Sequence, residues 1–592
     1  MPLAKAWSEL PQLSHIYASA DGLWAFWCWA GVTETEQVWC SRTDGSTAPE
    51  QVTFGTDHFA IRAVSPDGQR LILAQSRNAN EHDHLVLLDR ATGLTRLTPV
   101  QDSHYLYGGS FTADGAAVVF IADYDYEHSV TTAGGWVWQQ DLVTGQRICL
   151  ARSDTPFETG LRLSPGGGLW LWHRHETVPG AVQLWVMNAD GAHQREVLNL
   201  GPTNVVRGQW ISDTQIAFVA DHQGRDKLGV LTLGNGGVDW LAAEPDQCPQ
   251  DIVAGPASWA VIAHHQGWTR AQVGDQPLLN LSGRRSLVPH VGLPDGGWLA
   301  EAYDASGPHQ LVRVHADGQC TLLTQVGTSP RTTQTPTDFR WTSVDDRPMQ
   351  GWLYQPAGAS KGLICYVHGG PTWHSEDWVN PKIGFWVQSG YTVLDPNYRG
   401  STGFGHDHRE AVKADGWGGR EQADIRAGIE ALVSKGLAQR GRIAVAGNSY
   451  GGFSSWFAIT RHADLVNAAI PMCGMYRLDI DYHATEMPHG RAYSEEMMGG
   501  PPQQFPEKYA NASPGNFIHQ ITGNLLIVHG LADSNVGPEN THAAVRELTA
   551  AGIPHEVLLF ANEGHGVFRR SNVETYLRRS AEFLARAFGE VE

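Results

Sequence analysis

Chemistry first surfaces at Gly447-Asn448-Ser449-Tyr450-Gly451, which follows the apolar run Ile443-Ala444-Val445-Ala446 and precedes a helix-like stretch from Phe453 to Ile459. Glycines two residues before and after a serine, between a strand and a helix, describe a nucleophile elbow. The chain reverses so sharply there that larger side chains would collide, and the serine hydroxyl is left exposed. That hydroxyl needs a general base to attack at neutral pH, and the base needs an acid to orient it. The run Leu525-Leu526-Ile527-Val528 leads into His529-Gly530-Leu531-Ala532-Asp533, and Val557-Leu558-Leu559-Phe560 leads into Asn562-Glu563-Gly564-His565-Gly566. Asp533 is the candidate acid and His565 the candidate base. Glu563 is the other available carboxylate, but it lies too close in sequence to His565 to orient its ring easily.

All three candidates leave the carboxyl ends of apolar strands, where an open parallel sheet gathers its chemistry. Their order, serine then acid then histidine, is that of an α/β-hydrolase. The oxyanion formed on attack needs aimed donors. The N–H of Tyr450, directly after the serine, is one. The second comes from the loop after Leu363-Ile364-Cys365-Tyr366-Val367, namely His368-Gly369-Gly370-Pro371, and Gly370 is the choice for it. His368 and His529 are read as braces of their loops, not as proton carriers.

With these residues in place, the second half resembles the prolyl oligopeptidase family of serine peptidases, particularly its acylaminoacyl-peptidase and dipeptidyl-aminopeptidase-like branches. The likeness rests on His368-Gly369-Gly370-Pro371, Asn397-Tyr398-Arg399-Gly400-Ser401-Thr402-Gly403-Phe404-Gly405, Trp417-Gly418 to Asp424, Gly447 to Gly452, His529 to Asp533 and Gly564-His565-Gly566, over roughly residues 340–590. The resemblance implies an α/β-hydrolase domain capped by an amino-terminal β-propeller, hydrolysis of short peptides, and no metal or organic cofactor.

The first half supports the propeller independently. Ser19-Ala20-Asp21-Gly22, Ser65-Pro66-Asp67-Gly68, Thr112-Ala113-Asp114-Gly115, Ser164-Pro165-Gly166-Gly167, Ile211-Ser212-Asp213 and Leu293-Pro294-Asp295-Gly296 each precede an apolar stretch, most at steps of about forty to fifty-two residues. A second series of turn signals, such as Thr43-Asp44-Gly45 and Ala91-Thr92-Gly93, keeps the same beat, so each repeat holds two hairpins. Counting the weaker interval Ala254 to Gly274, with Trp259-Ala260-Val261-Ile262 as its inner strand, the total is seven blades. The expected division is a propeller over 1–327, a polar linker or hinge over 328–339 and the α/β-hydrolase over 340–592.

A formal charge of −20, with no useful Lys/Arg run, argues against nucleic acid as a partner. The seven cysteines are scattered, without metal-ligand spacing, and read as reduced packing residues of a cytoplasmic protein. The first residues lack an apolar signal core, and the longest apolar run is too short to span a bilayer, so no membrane partner is expected. Self-association stays open.

For substrate binding, Asn535 stands where the resemblance places an asparagine that contacts a substrate carbonyl in dipeptidyl peptidases, whereas acylaminoacyl peptidases often carry arginine in that region. An exopeptidase must also hold a free α-ammonium. Asp123, Asp125 and Glu127 are the best acidic cluster in the first half, with a solvated hairpin tip as the alternative account. The paired-glutamate motif of the dipeptidyl peptidase IV branch is not found. Cys473 and Tyr476, with Val536, are the candidate apolar wall for the residue before the scissile bond. A peptidase, an esterase or amidase on the same triad, and an inactive propeller scaffold are the readings to separate.

Overall fold

Three serine- or threonine-led turns of the repeat are each closed by their own aspartate. Ser19 Oγ donates to Asp21 Oδ1 at 2.5 Å, and the same oxygen accepts the Leu23 N–H at 2.9 Å. Ser65 with Asp67 and Thr112 with Asp114 repeat the pattern. The glycine that follows has φ near +68° at Gly22 and Gly68, a backbone region that costs other residues energy. It has a packing reason as well. A methyl group on Gly22 would lie 2.8 Å from Pro294 Cδ, one on Gly68 2.9 Å from Ser19 Cβ, and one on Gly167 2.5 Å from Ala113 Cβ. Each of these turns therefore leans on the turn of the preceding repeat, which sets the spacing of the blades around their axis.

The computed structural model describes residues 2–155, 157–176, 181–201, 205–241, 248–273, 276–277, 285–324 and 335–590. Among them the first half forms seven four-stranded antiparallel sheets, each of four consecutive strands, and these are the seven blades of a propeller. No strand is exchanged between first and last blade among the described residues, so side chains close the ring. Ile16, Trp27 and Trp29 pack with Leu293, Leu299 and Leu311, and Arg313 Nη1 donates to Thr43 Oγ1 at 3.1 Å. One detail of the sixth blade differs from expectation. Trp259–His265 is its second strand, and the first is Cys248–Ala254, whose Pro249, Gln250 and Asp251 hid it from an apolar-run reading.

The second half is an eight-stranded sheet in the order Thr337–Thr342, Pro348–Tyr354, Thr392–Asn397, Leu363–Val367, Ile443–Asn448, Ala468–Met472, Asn524–Gly530 and Glu556–Phe560. The last six of these run parallel to one another, and the first two are antiparallel. Helices cover both faces, which is why the central strands read as unbroken apolar runs. Val445 and Ile527 enter one core with Phe453, Trp456 and Ile459, while Ala444 and Leu526 enter the other with Trp386, Leu577 and Phe583.

Two boundaries change. Residues 328–334 of the expected linker lie outside the described residues, and from Thr337 the chain is already a strand of the second sheet. At the other end, helix Pro2–Ser8 falls inside the range assigned to the propeller but packs on the hydrolase. Trp7 is fully buried there, its Nε1 donating to Gln388 Oε1 at 3.0 Å, and a methyl group on Gly384 would lie 2.0 Å from its ring. A seven-residue helix has too short a period to announce its partner. Trp7→Ala should lower the stability of the hydrolase core by about 3–5 kcal/mol, the cost of emptying a fully packed tryptophan site, read by denaturant unfolding.

Candidate active site

The elbow is built by crowding. A methyl group on Gly447 would lie 2.4 Å from the Val367 carbonyl oxygen, one on Gly451 2.0 Å from the same oxygen, and one on Gly452 2.4 Å from the Met472 oxygen. Only bare backbone lets the helix Tyr450–Arg461 start this close to the two flanking strands. Ser449 sits at the corner with φ +59° and ψ −120°, its N–H donating to Met472 O at 2.9 Å. A left-handed conformation is costly for a serine, and the surrounding contacts hold it there. As the first helical residue, Tyr450 has an N–H with no carbonyl one turn earlier to accept it, so it is available to an oxyanion.

Asp533 and His565 meet as expected from their strand ends. His565 Nδ1 lies 3.0 and 2.9 Å from the two Asp533 oxygens, which leaves Nε2 as the nitrogen for Ser449. The Asn448 amide reaches the His565 carbonyl at 3.5 Å and ties the histidine loop to the elbow. Asp533 Oδ1 also accepts the N–H groups of Asn535 at 3.0 Å and Val536 at 2.9 Å. His529 touches the other oxygen, with Nε2 3.3 Å from Oδ2, and its ring is fixed by Thr541 Oγ1 at 2.7 Å and Val536 O at 2.9 Å. Burial pushes the Asp533 carboxyl up, but His565 and His529 outweigh it and hold it well below the usual carboxylate range. Burial likewise pushes His565 down, and the Asp533 charge outweighs that, so the imidazole is more basic than usual.

The loop bearing Gly370 is braced from behind. His368 Nε2 bonds Ser401 Oγ at 2.9 Å, and its ring stacks on Tyr398, whose hydroxyl donates to His368 O at 2.9 Å. Tyr493 OH donates to Gly370 O at 3.3 Å. Tyr398 in turn precedes Arg399, a buried guanidinium clamped by Asp424 through Nε and Nη2, both at 2.7 Å, and by Asp345 at 3.0 and 2.9 Å. The Asn397-to-Gly405 and Trp417-to-Asp424 segments thus support the oxyanion loop from below.

Several substrate candidates fall elsewhere. Cys473 is fully buried behind the triad, its sulfur within 4.8 Å of ligand atoms of Asp533 and His565. Tyr476 is buried in the core, its hydroxyl donating to Glu547 Oε2 at 2.8 Å, and Val536 is buried beside Asp533. None of the three forms an open wall, because the chain after Met472 turns inward beneath the acid loop. Asn535 stays half-buried at the site. Of the acidic trio, Asp125 is spent on its own turn, accepting the N–H groups of Glu127 at 2.8 Å and His128 at 3.2 Å, and Glu127 pairs with Arg152 at 3.9 Å. Asp123 accepts the Tyr105 N–H at 2.6 Å, with burial pushing its carboxyl up to about 6.

What the sequence reading missed is a propeller loop. Residues 77–83, between strands Arg70–Ser76 and His84–Asp89, reach into the hydrolase. Asn80 O accepts Ser534 Oγ at 2.9 Å, Asn78 Oδ1 accepts Arg569 Nη2 at 3.4 Å, and His82 Nε2 lies 3.3 Å from Glu486 Oε2. A methyl group on Gly564, next to the histidine, would lie 1.8 Å from Ala79 O. That glycine is therefore where the cap meets the catalytic loop, a requirement with no signature in a local motif.

Residues 378–591 match the prolyl oligopeptidase family. The chain carries a prolyl oligopeptidase family domain. Dipeptidyl aminopeptidase BIII of Pseudoxanthomonas mexicana is 25% identical over 98% of this chain and 87% of its own length. The acylamino-acid-releasing enzyme of Arabidopsis thaliana is 27% identical over 38% of this chain and 30% of its own length, so the chain-wide likeness rests on the former relative. A crystal structure of puromycin hydrolase superposes with a TM-score of 0.86 at 20% identity, covering 100% of this chain and 96% of that one, a likeness of fold. The family domain and these relatives support a serine hydrolase.

A base held more basic than usual sets the acid side of the rate profile. His565 must be neutral to accept the serine proton, so kcat/KM should rise with pH through a midpoint above the ordinary histidine value of about 6.5. Asp533→Asn removes the charge that raises it, so the midpoint should move to lower pH while kcat falls by about 10⁴. Rate profiles of both proteins on one chromogenic substrate check the pair of effects.

Proposed function

We propose that this protein is a serine peptidase that cleaves short peptides through an acyl-enzyme on Ser449 and releases an amino-terminal unit. His565 Nε2 takes the Ser449 proton during attack on the scissile carbonyl and gives it to the departing amine. Asp533 keeps Nδ1 protonated and stabilises the imidazolium. The N–H groups of Tyr450 and Gly370 receive the oxyanion. Water then enters, His565 removes its proton, and the acyl group leaves as a free acid.

The observation that carries this reading is the Asp533–His565 pair at 2.9 Å, held at the mouth of the elbow and covered by the propeller loop docked on Gly564 and Ser534. The cap supports short peptides as the substrate class, because a folded chain would have to displace contacts that join the two domains. These include Arg409 to Asp226 at 2.5 Å and to Asp221 at 3.1 Å, and Tyr303 OH to Glu376 Oε2 at 2.8 Å. An esterase would use the same triad, and relative rates on amides and esters separate the two. Among the described residues no helix is long and apolar enough to cross a membrane.

Ser449→Ala should lower kcat on aminoacyl and peptidyl chromogenic amides by about 10⁶, with an unchanged circular dichroism spectrum. Turnover within tenfold of the parent would reject Ser449 as nucleophile. Against a ladder of peptides of rising length, hydrolysis by the parent should fall away, and efficient digestion of an unfolded long protein would reject the cap as a filter.

A further inference from the structure

Away from the triad, the fold gathers a second set of ligating side chains at the seam between cap and hydrolase. His264 comes from strand Trp259–His265 of blade six, and His374 and Glu376 from the chain just beyond Pro371. One nitrogen of each histidine and one Glu376 oxygen lie within 4.8 Å of one another. The two imidazole rings approach with centroids 3.9 Å apart, and His374 Nε2 is 3.0 Å from Glu376 Oε1. Ligand atoms around a tetrahedral ion with bonds of about 2.1 Å stand roughly 3.4 Å apart, so the His374–Glu376 spacing already suits one. Ser375, between them, is pinned to the Asn397 side chain through its N–H at 2.7 Å and its carbonyl oxygen at 3.0 Å, which holds the pair in place.

The atoms behind these ligands are arranged as the outer shell of a metal site is. Thr402 Oγ1 lies 2.8 Å from His374 Nδ1, so a proton held between those two leaves Nε2 with its lone pair. Tyr303 OH, from the propeller, donates to Glu376 Oε2 at 2.8 Å and leaves Oε1 turned to His374. His374 and Glu376 are both buried, and the ion-pair partner of Glu376 is that histidine. Arg285 pairs with the next residue, Asp377, at 2.6 Å. Three other groups have ligand spacing, and each is committed elsewhere. Cys473, Asp533 and His565 belong to the triad and its backing. Asp125 is spent on a turn whose Glu127 and His128 are exposed. Asp221 and Glu410, beside His406, are both paired with Arg409 at 3.1 and 2.9 Å.

We propose that His264, His374 and Glu376 bind one divalent transition-metal ion of the Zn²⁺ class, which clasps blade six of the cap to the hydrolase. Two imidazole nitrogens and a carboxylate oxygen suit Zn²⁺, and three protein ligands leave a fourth position for water. On binding, two metal–nitrogen bonds and one metal–oxygen bond form, and the proton shared between His374 Nε2 and Glu376 Oε1 passes to solvent. The ion lies outside the triad and acts through geometry. His374 stands three residues beyond Pro371, so the clasp holds the far end of the loop that bears Gly370. The inference is independent of the peptidase reading, since it requires no particular substrate.

The experiment uses the untagged full-length protein, freed of metal by chelation and dialysis. Added Zn²⁺ should bind at one equivalent per chain with a Kd at or below about 1 μM, read by competition with a chromogenic chelator, and should raise the Tm by about 2 °C or more. Zinc K-edge absorption of the loaded protein should show imidazole ligands with metal–ligand distances of about 2.0–2.2 Å. His264→Gln, His374→Gln and Glu376→Gln should each weaken binding by about 100-fold or more and abolish the rise in Tm. Tyr303→Phe, which removes only the outer hydroxyl, should weaken it by about 10-fold. His128→Gln and His406→Gln should bind as the parent does. A parent that binds Zn²⁺ more weakly than this, a spectrum without imidazole, binding that survives either His264→Gln or His374→Gln, or binding lost in His128→Gln or His406→Gln would overturn the site. Binding with no rise in Tm would overturn the clasp. The absorption spectrum needs no variant, so a substitution that fails to fold leaves the test standing.

Discussion

The crowding around the Val367 carbonyl oxygen is the constraint on which the site depends. Two glycines of the elbow approach that one oxygen so closely that neither tolerates a side chain, and Val367 is also the last residue before the oxyanion loop. One backbone contact thus fixes Ser449, the helix N-terminus behind it and the start of the His368–Pro371 loop at once. The strain at Ser449 is a consequence of the same contact. A serine with φ +59° persists because the strands on either side and the helix that follows leave it no relaxed alternative.

Electrostatics complete what packing begins. Asp533 remains ionised inside the protein because two backbone N–H groups and two histidines face it, a degree of solvation that replaces water. Arg399 shows the same principle at the foot of the oxyanion loop, where a buried guanidinium is matched by two carboxylates in forked geometry. Tyr450 belongs to this layer too. Its hydroxyl donates at 2.9 Å to Glu421, a buried carboxyl pushed up to about 7, while its N–H faces the reaction.

The propeller is more than a lid laid over the hydrolase. Its blade-two loop contributes backbone that fits only against Gly564, and helix Pro2–Ser8 at the start of the chain is embedded in the hydrolase core. The two domains therefore shape one another's surfaces. Cys473, Tyr476 and Val536 illustrate why a pocket is hard to read from a string: they are apolar or aromatic and follow catalytic strands, but the chain folds them inward, and position after a strand does not say which way a side chain faces.

The elbow, the meeting of Asp533 with His565 and the blade repeat were legible from sequence because each follows a local rule. A strand ends, a turn demands glycine, a hairpin recurs, and the chemistry sits at those points whatever the rest of the chain does. Blade count followed from spacing for the same reason. The role of residues 77–83 was not legible, because Asn80 and Ser534 meet across 454 positions of sequence and neither lies in a motif that names the other. Sequence alone placed Ser449, Asp533 and His565, the proposed nucleophile, acid and base, at the carboxyl edge of a parallel sheet. Only the tertiary structure decided which propeller loop meets their loops, because that depends on how two independently patterned domains dock, and docking is set by surfaces that local periodicity does not record.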